Sequence, residues 1–364
     1  MHRQPIRVGI LGATGAVGQK LVTLLANHPW FRVTALAASP RSAGRPYKDA
    51  VNWLEDCPIP PEAATLTLAP AAPPLPCDLV ISALDTETAR GVEPAFAAAG
   101  FPVFSNASAL RRHPDVPILV PEVNPHHLAL VQRQSFGQGF IVTNPNCSVT
   151  GLVLALKPLV DGFGIEAVHA TTLQALSGAG YPGVPSLDAM ANVIPFIPGE
   201  DEKIESEPGI ILGHLADAGV VPHPMRVSAQ ANRVPVLDGH LLSVSVQLRR
   251  TATLTAVREA LEAFQAPPES RGLPSAPARP LVVSEDPAAP QPRRHAGAGG
   301  GMTVTVGRLR PCPVLHVRFL VLVHNTVRGA AGGALLNAEL AVAMGLAAGE
   351  MKRPTALPLP ALAW

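Results

Sequence analysis

The residues able to do chemistry in this chain fall in two places: a cysteine after an Asn-Pro-Asn turn and a glycine run near the N-terminus. Asn144-Pro145-Asn146-Cys147-Ser148 separates the apolar run Phe140-Ile141-Val142 from an apolar helical stretch, Leu152-Val153-Leu154-Ala155-Leu156. The spacing predicts Cys147 at or near a helix N-terminus, where the positive helix end stabilises a thiolate and free N–H groups face an oxyanion. A buried cysteine is more often inert filler, so its partners decide. His240, in Val236-Leu237-Asp238-Gly239-His240, follows a turn and opens a strand. An imidazole titrates near neutral pH and can move the proton that a thiohemiacetal gains or loses. There are 12 histidines, and sequence alone does not bring His240 to Cys147.

Gly12-Ala13-Thr14-Gly15-Ala16-Val17-Gly18 lies between an apolar run and a helical pattern. Glycines there let backbone N–H groups approach a pyrophosphate at a helix N-terminus, so Gly12, Thr14, Gly15, Ala16 and Val17 are candidate cofactor contacts. Where an NAD site places an acid after the second strand, this chain has Ser39-Pro40-Arg41-Ser42-Ala43-Gly44-Arg45. Hydroxyls and guanidiniums at Ser39, Arg41 and Ser42 suit a 2′-phosphate, which predicts NADP(H) over NAD(H).

The elements that must position these groups alternate. Ile6 to Leu11, Val33 to Ala38, Asp78 to Ala83, Pro102 to Ser105 and Phe140 to Val142 are short apolar runs with helical patterns between them, which predicts a parallel sheet covered by helices. From Ala167 onward the runs lengthen and alternate, as in Leu241 to Leu248 and Met302 to Val306, predicting a second, largely antiparallel sheet. Residues Ala266 to Gly301 are rich in Pro, Ala and Gly; Leu281-Val282-Val283 inside them still has strand character, so an ordered, irregular excursion is expected. Past Asn325 a helical pattern resumes at Leu335, Leu336, Leu340 and Val342.

Composition sets the outer bounds. The chain has 364 residues, 47% of them hydrophobic and 15% charged, with a net charge of +1, which excludes neither a large core nor two domains but offers no basic run for nucleic acid. Met1 to Arg7 leaves no space for a secretory leader, and the longest apolar stretches are broken by Lys157 and Pro158 or by His324 and Asn325, so no membrane span and a cytoplasmic location are expected. Cys57, Cys77, Cys147 and Cys312 are too scattered for a zinc ribbon or a disulfide framework, and no metal is expected. Arginines number 23 against 5 lysines, which reflects genome composition rather than function.

A longer series of motifs joins these features. Gly12-Ala13-Thr14-Gly15, Ser42-Ala43-Gly44, Asp49-Ala50-Val51-Asn52-Trp53, Ser105-Asn106-Ala107, Asn146-Cys147-Ser148, Thr172 to Gly180, Ser228-Ala229-Gln230, Asn232-Arg233-Val234, Asp238-Gly239-His240, Asn325-Thr326 and Gly329-Ala330-Ala331-Gly332 follow one another in order. Together, over roughly residues 6–348, they resemble the aspartate-semialdehyde dehydrogenases of fungi and archaea. The resemblance implies an α/β fold. A Rossmann-type NADP-binding domain at 1–146 would be completed by a C-terminal helix at 326–349. An α+β catalytic and dimerisation domain with a mixed, largely antiparallel sheet would span 147–325, and an irregular tail 350–364. It implies Cys147 as nucleophile, His240 as acid/base and Gln174 as an orienting group. Arg233 would hold the substrate carboxylate; Glu200 and Lys203 would meet the amino group and the phosphate, with Glu202 a close neighbour. Arg111, with Arg112 as the alternative, would bind phosphate; Asn146 would line the substrate, and Ser177, Gly178 and Asn325 the cofactor.

The implied reaction is NADPH-dependent reductive dephosphorylation of L-aspartyl 4-phosphate to the semialdehyde through a cysteine thioester, a step toward lysine, threonine and methionine, in a homodimer or homotetramer. Two departures stand out: Arg294-His295 with a glycine-rich run follows Pro290 to Arg293, and a tail extends from Glu350; neither is expected to touch a motif residue. Malonyl-CoA reductase-like and N-acetyl-glutamyl-phosphate reductase-like enzymes share parts of the pattern, and an NADP-binding regulatory protein without chemistry is the alternative of another class.

Overall fold

The computed structural model describes residues 4–346. The first sheet takes its strands from β1 (Ile6–Leu11), β2 (Phe31–Ala38), β3 (Ala69–Pro70), β4 (Leu79–Ser82), β5 (Pro102–Ser105) and β6 (Phe140–Thr143). Their order is β3-β2-β1-β4-β5-β6, and every pairing is parallel. Strands covered on both faces read as continuous apolar runs, and β4, β5 and β6 are buried at all four positions. Helix α1 (Ala16–Leu25) turns Leu21, Val22 and Leu25 inward, and α2 (Thr86–Ala98) starts where the Asp85 carboxylate accepts from the N–H groups of Glu87 and Thr88.

The second sheet is built after α3 (Cys147–Phe163). Its strands are β7 (Ile165–Gln174), then, past α4 (Glu200–Ile211) and the hairpin β8 (His214–Ala216) and β9 (Gly219–Val221), β10 (Arg226–Arg233) and β11 (His240–Leu248); after α5 (Leu254–Glu262) come β12 (Leu281–Val283), β13 (Val304–Pro311) and β14 (Val317–Val323). The order is β10-β7-β11-β14-β13-β12. The β7–β11, β11–β14 and β13–β14 pairs are antiparallel, whereas β10–β7 and β12–β13 are parallel, so the sheet is mixed and largely antiparallel. One face takes α3, whose Val149, Leu152, Val153, Leu156 and Leu159 are fully buried against it. Each such leucine stabilises the fold by roughly 2 kcal/mol.

The chain then returns to the first sheet. A π-helical turn, Val327–Ala331, leads into α6 (Gly332–Ala343), whose Leu335, Leu336 and Leu340 share a core with Val8 and Ile10 of β1. The excursion at 266–301 is ordered, with Leu281–Val283 pairing to β13. Its divergent end corrects one expectation: although no motif residue is altered there, it lies against one. A β-carbon at Gly239 would sit 3.1 Å from Ala296 Cβ and 3.2 Å from Pro292 Cβ, so the segment packs behind the His240 turn. The expected tail at 350–364 lies outside the described residues.

Between β7 and α4 the chain exposes Tyr181, Leu187, Met190, Val193 and Phe196, with Leu187 91% accessible. Within this stretch Ile194 exchanges backbone hydrogen bonds with Arg233, at 3.0 and 2.8 Å. No helix among the described residues is long and apolar enough to cross a membrane.

Candidate active site

Cys147 is the first residue of α3, as its sequence context predicts. Asn146 caps the helix: its side-chain oxygen accepts from the N–H groups of Ser148 and Val149 at 3.0 and 3.3 Å, a contact of roughly 1 kcal/mol. The other end of the same side chain donates to Glu200 Oε2 at 2.8 Å, and its backbone N–H donates to Glu207 Oε2 at 2.6 Å. Two acids seven residues apart on α4 thus hold the residue before Cys147.

Glu200 gathers the rest. Gln174, the last residue of β7, donates to its Oε2 at 3.1 Å, and Lys203 donates to Oε1 at 2.8 Å. Glu202 is exposed and Glu200 buried, so the helix face selects Glu200 from the pair. Arg111 is buried beside Glu207, donating to its Oε1 at 2.9 Å and to the Asn106 carbonyl at 3.0 Å, whereas Arg112 is exposed. The Arg111 Nε–H is buried without a protein acceptor, as an anion site would leave it. Arg233, at the end of β10, spends one nitrogen on the Ala175 carbonyl at 2.9 Å. His240 opens β11, and its Nδ1 accepts from the Ala175 N–H at 3.0 Å. Gly178 lies between these two: a β-carbon there would be 2.8 Å from Arg233 Nη1 and 3.1 Å from His240 Nε2.

The electrostatics tie Cys147 and His240 to common neighbours and correct their expected protonation. Burial, then the Glu200 charge, pushes the Cys147 thiol up to about 12, against the pull of Arg111, the Ser148 N–H and Arg233. Burial and the Arg233 charge push His240 down to about 3, with Glu200 opposing. The helix terminus does favour a thiolate, but desolvation outweighs it without a ligand. The centre therefore rests as a thiol and a neutral imidazole. Because Nδ1 accepts, the imidazole proton sits on Nε2, which is buried with no protein partner. Burial also raises Glu200, but the Lys203 charge and the hydrogen bonds from Lys203, Asn146 and Gln174 outweigh it, leaving that carboxyl below its ordinary value.

The nucleotide end is made of backbone. Gly12 has φ 75°, and a β-carbon on it would lie 2.6 Å from the Ala83 carbonyl oxygen; one on Gly18 would run into the Gly12 carbonyl and Ala13. At Gly15, the N-cap of α1, the nearest atom would be the Gly12 oxygen at 3.5 Å, so the space beside it is open. These are the three roles of a dinucleotide loop: tight turn, open approach for a pyrophosphate and close helix packing. Thr14, Ala16 and Val17 complete the loop and first helical turn. Gly12 and Ala13 both donate to the Ala37 carbonyl at 3.0 Å, so the turn carrying Ser39, exposed Arg41 and Ser42 opens beside the loop. At the other end Asn325 donates to Ser177 Oγ at 2.7 Å and accepts from the Gly239 N–H at 2.9 Å, placing Ser177 and Gly178 against the His240 turn. Helix α1 packs on the π-helical turn that backs Cys147, bringing the two ends together.

Sequence reasoning missed several supports. Glu207 could have been found, since its spacing from Glu200 puts both on one helical face. Tyr47, which donates to the Ala13 carbonyl at 3.0 Å, and Gln19, which donates to the Thr14 carbonyl at 2.9 Å, brace the glycine loop. Arg328 and Glu122 form a bidentate pair at 2.6 and 2.5 Å with each side chain 1% exposed. Nothing in either residue's local sequence marks a partner two hundred residues away.

Comparison with known proteins agrees with this geometry. Residues 7–131 match the family model "Semialdehyde dehydrogenase, NAD binding domain", and 156–328 match "Semialdehyde dehydrogenase, dimerisation domain". The aspartate-semialdehyde dehydrogenase of Archaeoglobus fulgidus is 48% identical over 92% of this chain and 97% of its own length. That of Cryptococcus neoformans is 45% identical over 94% and 99%. The crystal structure of aspartate semialdehyde dehydrogenase with NADP from Candida albicans superposes with a TM-score of 0.88 at 40% identity, covering 94% of this chain and 99% of that one. With a parallel nucleotide-binding sheet, a mixed second sheet and Cys147 at the helix start where they meet, the chain belongs to the aspartate-semialdehyde dehydrogenase family.

Proposed function

We propose that this chain catalyses the NADPH-dependent reductive dephosphorylation of L-aspartyl 4-phosphate to L-aspartate 4-semialdehyde. The observation that carries the proposal is the Glu200 cluster, which joins Asn146, Gln174 and Lys203 at the start of the Cys147 helix.

Each charge in the cluster matches a group on that substrate. Arg233 takes the α-carboxylate, for which a planar guanidinium fork is suited. Glu200 takes the ammonium group, and Arg111 with Lys203 takes the phosphate. The Cys147 thiol attacks the acyl carbon, forming the C–S bond as the C–O bond to phosphate breaks, and the thiol proton leaves on the phosphate. Gln174 and the capped helix start hold the thioester in place. The glycine loop would hold NADPH, with Ser39, Arg41 and Ser42 available to its 2′-phosphate, and the chemistry it would supply when bound is hydride for the thioester carbonyl. His240 Nε2–H donates to the oxyanion that results, and collapse releases aldehyde and Cys147 thiolate, which takes a proton from solvent.

The same reading sets the domain boundary at 146/147, with the C-terminal helix returning to the first domain. It places the enzyme in the cytoplasm as a homodimer or homotetramer, a state supported by the exposed apolar stretch from Tyr181 to Phe196. The test is a substrate panel. NADPH formation from aspartate semialdehyde and phosphate is expected; activity confined to NADPH oxidation by malonyl-CoA would replace the substrate, and no turnover with either would remove the activity.

A further inference from the structure

The chain crosses from the second sheet back to the first through residues 324–331, and this crossing meets the active centre at three points. Asn325 bonds to the Gly239 N–H and to Ser177. Gly329 presses on the nucleophile, since a β-carbon there would lie 2.7 Å from Cys147 Cβ and 2.9 Å from its Cα. The Ala330 carbonyl accepts from Asn144 Nδ2 at 2.8 Å, three residues before the cysteine. The local backbone is a π-helical turn, with Gly329 N–H bonded to the His324 carbonyl and Ala331 N–H to that of Thr326, each five residues back. Such turns are rare and occur frequently at functional sites.

Arg328, beside Gly329, ties this turn to the first domain's side by gripping Glu122. The segment that carries Glu122 is itself fixed to β6, the strand that leads to Cys147: Leu119, three residues earlier, donates to the Thr143 carbonyl at 2.9 Å, and Asn124 braces the same turn through Val120 and Ile118. A buried ion pair is a poor source of stability, because an apolar pair of equal volume does as well. What it provides is a fixed bidentate geometry.

We propose that Glu122 and Arg328 are a positioning pair: they set where Gly329 presses on Cys147 and where Asn325 holds the His240 turn, and so the alignment of thiol with imidazole. The proposal rests on Cys147 being the nucleophile. It places the pair's effect in kcat and in thiol reactivity, not in ligand affinity.

Three variants test it: Arg328→Lys, which keeps the charge and loses the fork; Glu122→Asp, which shortens the reach; and the double variant Glu122→Leu/Arg328→Met, which removes both charges. For each, kcat, both KM values, thermal melting and the rate of Cys147 alkylation by iodoacetamide are measured. The expected result is a loss of kcat of roughly ten- to a hundredfold, with KM moving less than about threefold and the alkylation rate displaced. The double variant should melt at or above the wild-type temperature and remain slow. A double variant that melts like the wild type and turns over at its rate overturns the proposal. Should it fail to fold, Arg328→Lys decides on the same measurements: unchanged kcat and alkylation per folded molecule overturn it. Cys147→Ser in the same series keeps the two ideas apart: retained turnover there removes the nucleophile and the proposal with it, whereas lost turnover there beside unchanged kcat and alkylation in the pair variants overturns the pair alone.

Discussion

The chemical centre and the glycine loop prepare for their ligands by opposite means. Around Cys147, charged and polar side chains arrive from separated segments, Arg111, α4, β10 and β11, and each is bonded to other protein groups. Around Gly15, one run of seven residues presents backbone with open space at Gly15 itself, and the adjoining Arg41 is exposed. The difference teaches where each kind of error will appear. A change in the interlocked centre should spread to several groups at once, whereas a change beside the loop should act on one contact.

The largest expected effect is at the nucleophile. Cys147→Ser should lower turnover by roughly a thousandfold or more, because serine lacks a dedicated base here. Steady-state rates within tenfold of wild type, on protein with unchanged circular dichroism, would reject thioester chemistry and with it the contrast drawn above. Next is Gly178→Ala. Its new methyl would have to displace Arg233 and the His240 ring together, so kcat/KM should fall by roughly a hundredfold. An unchanged specificity constant would show that the centre is looser than its contacts imply.

Acid separates the two regions in a third way, for the loop from Gly12 to Gly18 holds no titratable side chain while the centre holds a buried imidazole. His240 and His127, a fully buried ring set between Asn124 Nδ2 and the Gly213 carbonyl, are both pushed down to about 3, by burial first, then by Arg233 and by His126 respectively. Their depressed values mean that the unfolded chain binds protons the folded one refuses. This stability is complete above the unfolded histidine value and is lost as pH falls from there toward about 3. Going from about pH 7 to about pH 5 should cost about 2 kcal/mol for each. Urea midpoints that do not move between those conditions would contradict neutral burial. The smallest effect is expected at the exposed turn: Arg41→Ala should reduce the preference for NADP over NAD by roughly tenfold, leaving kcat unaltered. An unchanged ratio of the two specificity constants would assign the 2′-phosphate elsewhere.

Much of this architecture was legible from local pattern. The alternation of apolar runs and helical stretches in the first sheet, and the period-two pattern of β11, express burial that each segment undergoes regardless of its partners. The place of Cys147 was legible for the same reason, since a first helical position is local; the cap that Asn146 forms was not read from the sequence. What stayed hidden depends on packing. Choosing Arg111 over Arg112 and Glu200 over Glu202 requires knowing which face of a turn or helix looks inward. The protonation of Cys147 was misjudged because the helix terminus is visible in sequence while the desolvation that outweighs it is not. Glu122 and Arg328 were invisible because neither residue type nor spacing encodes a contact of that range.

The exposed stretch between Tyr181 and Phe196 reaches the substrate end through Ile194, whose backbone is paired with Arg233. If a second subunit covers that stretch, mass action enters the chemistry: subunits diluted below their dissociation constant would lose support for Arg233. Specific activity would then fall with enzyme concentration before any unfolding is seen, and added substrate, by engaging Arg233, would favour reassembly.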